Sequence, residues 1–221
     1  MALREAVLVG SGASLLGKQL GAKIDSFPIV FRFRGSEKNL AKHCHDTGVK
    51  TDVLVSNCNH KVASSLLNDI KKGLMKRHGI KKLVFSSTKR GSHKRQQWRR
   101  LWHYTRKHNI DARIFRYDEG GLEVLDGLGV EYKDLPIPRT WTAGLNILVN
   151  LLNNNYKFHP VVFEEYEFDK IYLCGFDYLT DTPSIKHFYP QGKITNWHNL
   201  DSEAKIIRQL IEKTDKVEIL S

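Results

Sequence analysis

The chain has 221 residues, 41% of them hydrophobic and 27% charged, with 35 Lys and Arg against 24 Asp and Glu. This length and composition support a buried core, and they exclude a collagen-like repeat, a largely disordered chain and a disulfide-packed miniprotein. The net charge of +11 is local: residues 71–116 hold 16 Lys and Arg and one acid, Asp111, so that segment carries +15 and the rest of the chain −4. Such a field attracts polyanions, whether nucleic acid, an anionic membrane surface or an acidic glycan.

In chain order, apolar runs alternate with amphipathic stretches. This is the pattern of βαβ units, and it predicts an α/β, Rossmann-like domain with a mostly parallel sheet flanked by helices. AVLVG (6–10) reads as the first buried strand, after which Ser14 is expected to cap a short helix near 15–21. PIVFRF (28–33) and DVLVS (52–56) are the next strands. An amphipathic helix over 62–77 leads to the strand KKLVFSS (81–87), and a helix over 93–108 leads to the strand DARIF (111–115). TAGLNILVNLL (142–152) is a strongly apolar helix. It is followed by the strand KIYLCGFD (170–177), an irregular loop over 178–199, a helix over 201–212 and a last strand, KVEIL (216–220). No internal repeat or low-complexity linker divides the chain, so a single domain over 1–221 is expected.

Three cysteines, Cys44, Cys58 and Cys174, cannot all pair with one another, and there is no Asn-x-Ser/Thr sequon. Both facts suit a reducing compartment. The apolar run at the start is far shorter than the roughly 20 residues that cross a bilayer, and no small-residue cleavage signature follows it. The expected location is the cytoplasm, with residues 71–116 available for peripheral contact with an anionic membrane. His43-Cys44-His45 with Cys58 and His60 matches the spacing of no standard zinc site.

Ligands of doubly wound sheets bind at the carboxyl ends of the strands. Gly10-Ser11-Gly12-Ala13-Ser14-Leu15 is a small-residue turn at such an end, where backbone N–H groups can hold an anion. It completes neither common phosphate signature. Gln19 stands where a Walker A motif needs Ser or Thr, and Leu15 stands where a dinucleotide fingerprint needs its third glycine. A tight turn without ligand is the alternative. Farther on, His187-Phe188-Tyr189, and His198 with Glu203 five positions later, follow the strand ending at Gly175-Phe176-Asp177. A near-neutral histidine takes a proton from a sugar hydroxyl, while a protonated one stabilises a leaving phosphate. The same histidines, with Tyr189 as a core aromatic, are also compatible with a structural role.

Four segments stand together in a known order: VLVGSGASLLGKQLGAKIDSFPIVFRFRG with DTGVKTD (46–52), TAGL (142–145) through IYLCGFD, His187-Phe188-Tyr189, and His198 to Glu203. On these residues the chain resembles the eukaryotic-type sialyltransferases, glycosyltransferase family 29, and is more loosely similar to the bacterial sialyltransferases of family 42. The resemblance implies a GT-A-like variant fold and an inverting, metal-independent glycosyltransferase without a cofactor. Its donor would be CMP-sialic acid, or a related acid sugar such as CMP-Kdo, and its acceptor a glycan or glycolipid hydroxyl. By the same resemblance Ser11 and Gly12 approach the nucleotide, and Thr142, Ala143 and Gly144 lie against the cytidine monophosphate. His187 contacts the donor phosphate, Tyr189 belongs to the third motif, His198 is the general base, and Glu203 positions the helix carrying it.

The departures carry information. The family usually has Asn where Ser11 and Arg34 stand, and Arg34 brings a fixed charge suited to phosphate or carboxylate. Thr142 follows Trp141 where proline is usual. The positions of the family's disulfide align with Ala6 and Phe168, so packing is expected in place of the bridge. The absence of an Asp-x-Asp sequence suits a CMP-sugar, whose single phosphate needs no metal clamp. The competing reading is a nucleic-acid-binding protein on a degenerate transferase fold, with Trp98, Trp102 and Tyr104 among Arg95, Arg99, Arg100 and Arg106 as a stacking platform. At i and i+4, however, Trp98 and Trp102 also suit one core-facing stripe.

Overall fold

The computed structural model describes residues 4–36, 39–57, 60–87, 96–116, 120–134, 141–158, 160, 163–179 and 199–221. Seven apolar runs form one sheet: β1 (Glu5–Val9), β2 (Ile29–Phe33), β3 (Val53–Asn57), β4 (Lys82–Ser87), β5 (Asp111–Arg116), β6 (Lys170–Cys174) and β7 (Val217–Ile219). Their order is β5-β4-β3-β2-β1-β6-β7, and every pairing is parallel. An all-parallel sheet needs both faces covered. The helices supply that cover: α1 (Gly21–Ser26), α2 (Cys44–Thr47), α3 (His60–Lys71), α4 (Leu74–Arg77), α5 (Gln96–Lys107), α6 (Gly121–Gly127), α7 (Ala143–Tyr156) and α8 (Leu200–Lys213).

The two-residue period of each strand divides its side chains between the faces. Ala6, Leu8, Phe31, Val53 and Val84 join α7 and α8 in the main core, with Leu145, Leu148, Leu152, Ile206 and Leu210. On the other face Leu54, Leu83 and Phe85 pack with Leu66 of α3 and Leu101 of α5, while Val7, Val9 and Val30 pack with Ile24 of α1. Ala6 and Phe168, the positions aligned with the family's bridge, are both buried in the main core, with the Phe168 ring 6.1 Å from that of Phe31. Apolar packing occupies this place.

A polar network holds the first of the four segments, residues 7–35 with 46–52. Arg32 of β2 is fully buried and donates from Nε to the Lys50 carbonyl (2.8 Å) and from Nη2 to the Thr47 carbonyl (2.5 Å). Burial lowers its pKa to about 10. Asp25 accepts from the backbone N–H groups of Val49 and Lys50, and Asp52 accepts from the Val30 N–H (3.0 Å) and Lys81 Nζ (2.7 Å). The Asp-Thr-Gly-Val-Lys-Thr segment is thereby fastened to α1 and β2.

Three local expectations are corrected. The helix expected near 15–21 is absent. A single turn, Ala13–Leu15, is followed by positive φ at Gly17 (80°) and Gln19 (53°), and α1 starts only at Gly21. Two acids hold this path: Asp177 receives the Ser14 N–H and Asp46 the Gln19 N–H. The helix expected over 62–77 is broken by Gly73 (φ 85°) into α3 and α4. The last strand before the irregular loop stops at Cys174, because Gly175 turns the chain at φ 69°. The short helix α6 carried no sequence expectation.

From β1 the chain builds the sheet outward through β5, then returns to add β6 on the other side of β1. This reversal is the topological switch point, and the crevice of such a fold opens there, between the carboxyl ends of β1 and β6.

Candidate active site

At the switch point the two strand ends are in backbone contact. Gly10 N–H donates to the Cys174 carbonyl and Gly12 N–H to the Gly175 carbonyl, each at 2.8 Å. A side chain at position 10 would meet the Gly175 backbone, which explains glycine there. Beyond this contact the Asp177 carboxylate accepts from Ala13 N–H (2.8 Å) and Ser14 N–H (3.1 Å). The turn does hold an anion, as its composition suggests, but the anion is the chain's own Asp177, which is only 6% exposed. Ser11 and Gly12 lie in this turn, Ser11 half-buried and Gly12 buried.

A Cβ at position 12 would collide with the Asp177 carboxylate and sit 2.6 Å from the Gly175 carbonyl oxygen. Neither neighbour is a free side-chain end. Gly12→Ala is therefore expected to lose about 1–3 kcal/mol of folding stability. The urea midpoint should fall with little change in slope, and an unchanged midpoint would show that the turn is loose.

The short-motif residues arrive from the main-core side. Thr142 caps α7, its Oγ1 accepting the Leu145 N–H at 3.3 Å. Ala143 is half-buried, and Gly144 is buried so close to Phe176 that a Cβ would lie 2.5 Å from the ring. Phe176 in turn stands edge-on to Phe33 of β2 (6.1 Å). Gly12, Phe176 and Gly144 thus sit around one crevice although they come from three separate stretches of sequence.

Glu203 ties α8 to this arrangement. It is wholly buried, and its two oxygens accept from Thr142 N–H (2.8 Å) and Thr142 Oγ1–H (2.6 Å). Burial pushes its pKa up to about 7, against the opposing pull of those two bonds. Asn199, the residue after His198, caps α8 by accepting the Ser202 N–H (3.1 Å). His187, Tyr189 and His198 themselves lie outside the described residues. Arg34, at the end of β2, turns its guanidinium to α3, where it pairs with Asp69 and reaches Ser65 Oγ at 3.4 Å. Part of the charge expected for a phosphate or carboxylate is therefore neutralised within the protein.

Among the described residues no group of three or more His, Cys, Asp or Glu is placed to hold a metal ion. An open cavity of about 690 Å³ between α1 and α2 is lined by Gln19, Asp25, Cys44 and Asp46, and by none of Ser11, Gly12, Thr142, Ala143, Gly144 and Glu203. Its two acids are engaged by backbone N–H groups. One residue of the site, Asp177, and one pairing, that of Thr142 with Glu203, went unnoticed in the sequence. Asp177 was signalled only by an acid directly after Gly-Phe at a strand end facing the glycine turn. The pairing was hinted at only by the place of Thr142 as an N-cap before an apolar run.

The family model for glycosyltransferase family 29 (sialyltransferase) matches residues 2–110. A mammalian sialyltransferase crystal structure is similar over 100% of this chain and 70% of its own, at a TM-score of 0.59 and 14% identity. A second, of a mammalian sialyltransferase in complex with Gal-beta-1-3GalNAc-ortho-nitrophenol, gives a TM-score of 0.55 at the same identity and coverage. At that identity the likeness is one of fold. No curated protein sequence matches the chain.

Proposed function

Starting from a chain whose residues 2–110 match the family model of glycosyltransferase family 29, the sialyltransferases, we propose an inverting, metal-independent transfer of sialic acid from a CMP-sugar to a glycan or glycolipid hydroxyl. The observation that carries this reading is that the glycine turn and the Thr142–Gly144 helix start both pack against Gly175–Asp177, just past the end of β6, with Glu203 locking the latter to α8.

His198 takes the proton of the acceptor hydroxyl, and that oxygen attacks the anomeric carbon from the face opposite the nucleotide. The bond from carbon to the phosphate oxygen breaks, its electron pair leaves with CMP, and the configuration inverts. His187 meets the charge that develops on the phosphate. Because Asp177 takes up the Ala13 and Ser14 amides, and Asp69 pairs with Arg34, this duty falls chiefly to His187 in the proposed mechanism. Approximation and base catalysis together provide the acceleration. A related acid sugar such as Kdo is the second donor compatible with the reading.

CMP is expected to bind in the presence of EDTA and to raise the melting temperature by mass action, with a stabilisation of about 2.7 kcal/mol at a hundredfold excess over Kd. A requirement for Mg²⁺ or Mn²⁺, or stronger competition by UDP than by CMP, would overturn the donor assignment. Hydrolysis of CMP-sialic acid against CMP-Kdo then decides the sugar.

A further inference from the structure

The solvent face of α5 consists of Arg99, Arg100, His103, Arg106 and Lys107, all exposed, and the helix contains no acid. The positive surface continues onto α3. Lys71 Nζ lies 5.5 Å over the Tyr104 ring, Lys72 follows, and Arg77 bonds back to the Lys72 carbonyl. The acids that would offset this charge are committed elsewhere. Asp69, the acid of α3, pairs with Arg34, and Asp111 pairs with Lys82 and Arg113. Among the described residues none of Lys71, Lys72, Arg99, Arg100, Arg106 and Lys107 forms an ion pair.

Two aromatic residues of α5, Trp102 and Tyr104, pack against their neighbours. Trp102 is half-buried and edge-on to Phe85 (6.4 Å), and Tyr104 lies 4.2 Å from His108 beneath Lys71. Bases of a single strand therefore find no described ring to stack on, which argues against the nucleic-acid reading. Among the described residues the large exposed apolar ones, Leu16, Val49, Leu122 and Ile219, are all on other elements. What remains is a cationic face from Arg99 to Lys107, about 12 Å long at a rise of about 1.5 Å per residue.

We propose that this face docks the protein peripherally on an anionic lipid bilayer. Unpaired positive charge without an apolar wedge among the described residues matches a plane of acidic headgroups. Arg99 and Arg100 lie near the start of α5, at the carboxyl edge of the sheet, and Arg106 and Lys107 lie in its last turn, so docking lays the helix along the bilayer. The proposal goes beyond the transferase reading and does not depend on it, since vesicle binding requires no donor.

The test is co-sedimentation of the full chain with vesicles of phosphatidylcholine alone and with about one third phosphatidylserine. Binding is expected only to the anionic vesicles. It should vanish between about 0.1 M and about 1 M NaCl, as the screening length falls from ~10 to ~3 Å. A basic residue near such a surface contributes roughly fivefold, so Arg99→Glu with Arg100→Glu should weaken partitioning at least about 25-fold while CMP affinity and the circular dichroism spectrum stay unchanged. Arg106→Glu with Lys107→Glu should reproduce the loss independently. Equal binding to neutral vesicles, or wild-type partitioning by both double variants, would overturn the proposal. Displacement of the vesicles by duplex RNA at the same salt would assign the face to nucleic acid instead.

Discussion

His198→Ala is expected to reduce glycosyl transfer by a factor of about 10² to 10⁴, the usual worth of a general base, and to leave CMP affinity unchanged. His187→Ala is expected to weaken both. The distinction follows from the proposed roles, because a base touches the acceptor hydroxyl whereas a phosphate partner touches the nucleotide. The chain around position 198 favours such a role: the next residue, Asn199, caps α8, and Glu203 in the first turn is bonded to Thr142 at the crevice. Initial rates with saturating donor, alongside calorimetric titration with CMP, separate the two effects. Wild-type transfer by His198→Ala would remove that residue from the mechanism.

Glu203→Ala is expected to be among the most destabilising single changes in the protein, at about 2–4 kcal/mol. It leaves the Thr142 N–H and hydroxyl without their acceptor and loosens the cap of α7. Glu203→Gln keeps the shape and makes a pH signature visible. The folded pKa, about 7, is raised above that of a free carboxyl by burial, so the folded protein holds this proton more tightly than the unfolded chain. The resulting stability is fully present below about pH 4.3, declines as pH rises, and is gone above the folded value. Relative to the wild type, Glu203→Gln should therefore gain stability progressively between about pH 4.5 and 7, by a few kcal/mol at ~1.4 kcal/mol per pH unit. Urea denaturation of both proteins across that range measures the difference. A flat difference would mean that the carboxylate stays ionised in the folded state.

The strands were legible because each is an apolar run short enough to be a buried strand, and α5, α7 and α8 because their apolar periodicity is long. Only the sheet order, with β6 beside β1, turned seven separate runs into a crevice. What escaped were features decided by partners distant in sequence. Ser14 looked like a helix cap, but its N–H goes to Asp177 and the helix begins at Gly21. Arg34 looked like a free charge at a strand end until α3 set Asp69 against it. Glu203 was expected to position its own helix, but the partner it bonds to, Thr142 at the start of a different helix, was not legible. Polar pairings of this kind depend on tertiary proximity and leave no period in the sequence to detect.

The bond from Ala13 N–H to Asp177 joins residues 164 positions apart, and β1 receives its second neighbour, β6, only after four other strands have been made. During synthesis one edge of the central strand therefore waits unpaired while most of the chain is still to come, and contacts of such long range slow folding. The strand-end crevice has no early, partly formed version, because its floor joins the first strand to the sixth. Under the proposed function, a misassembled chain should lack activity altogether rather than work weakly on the wrong donor.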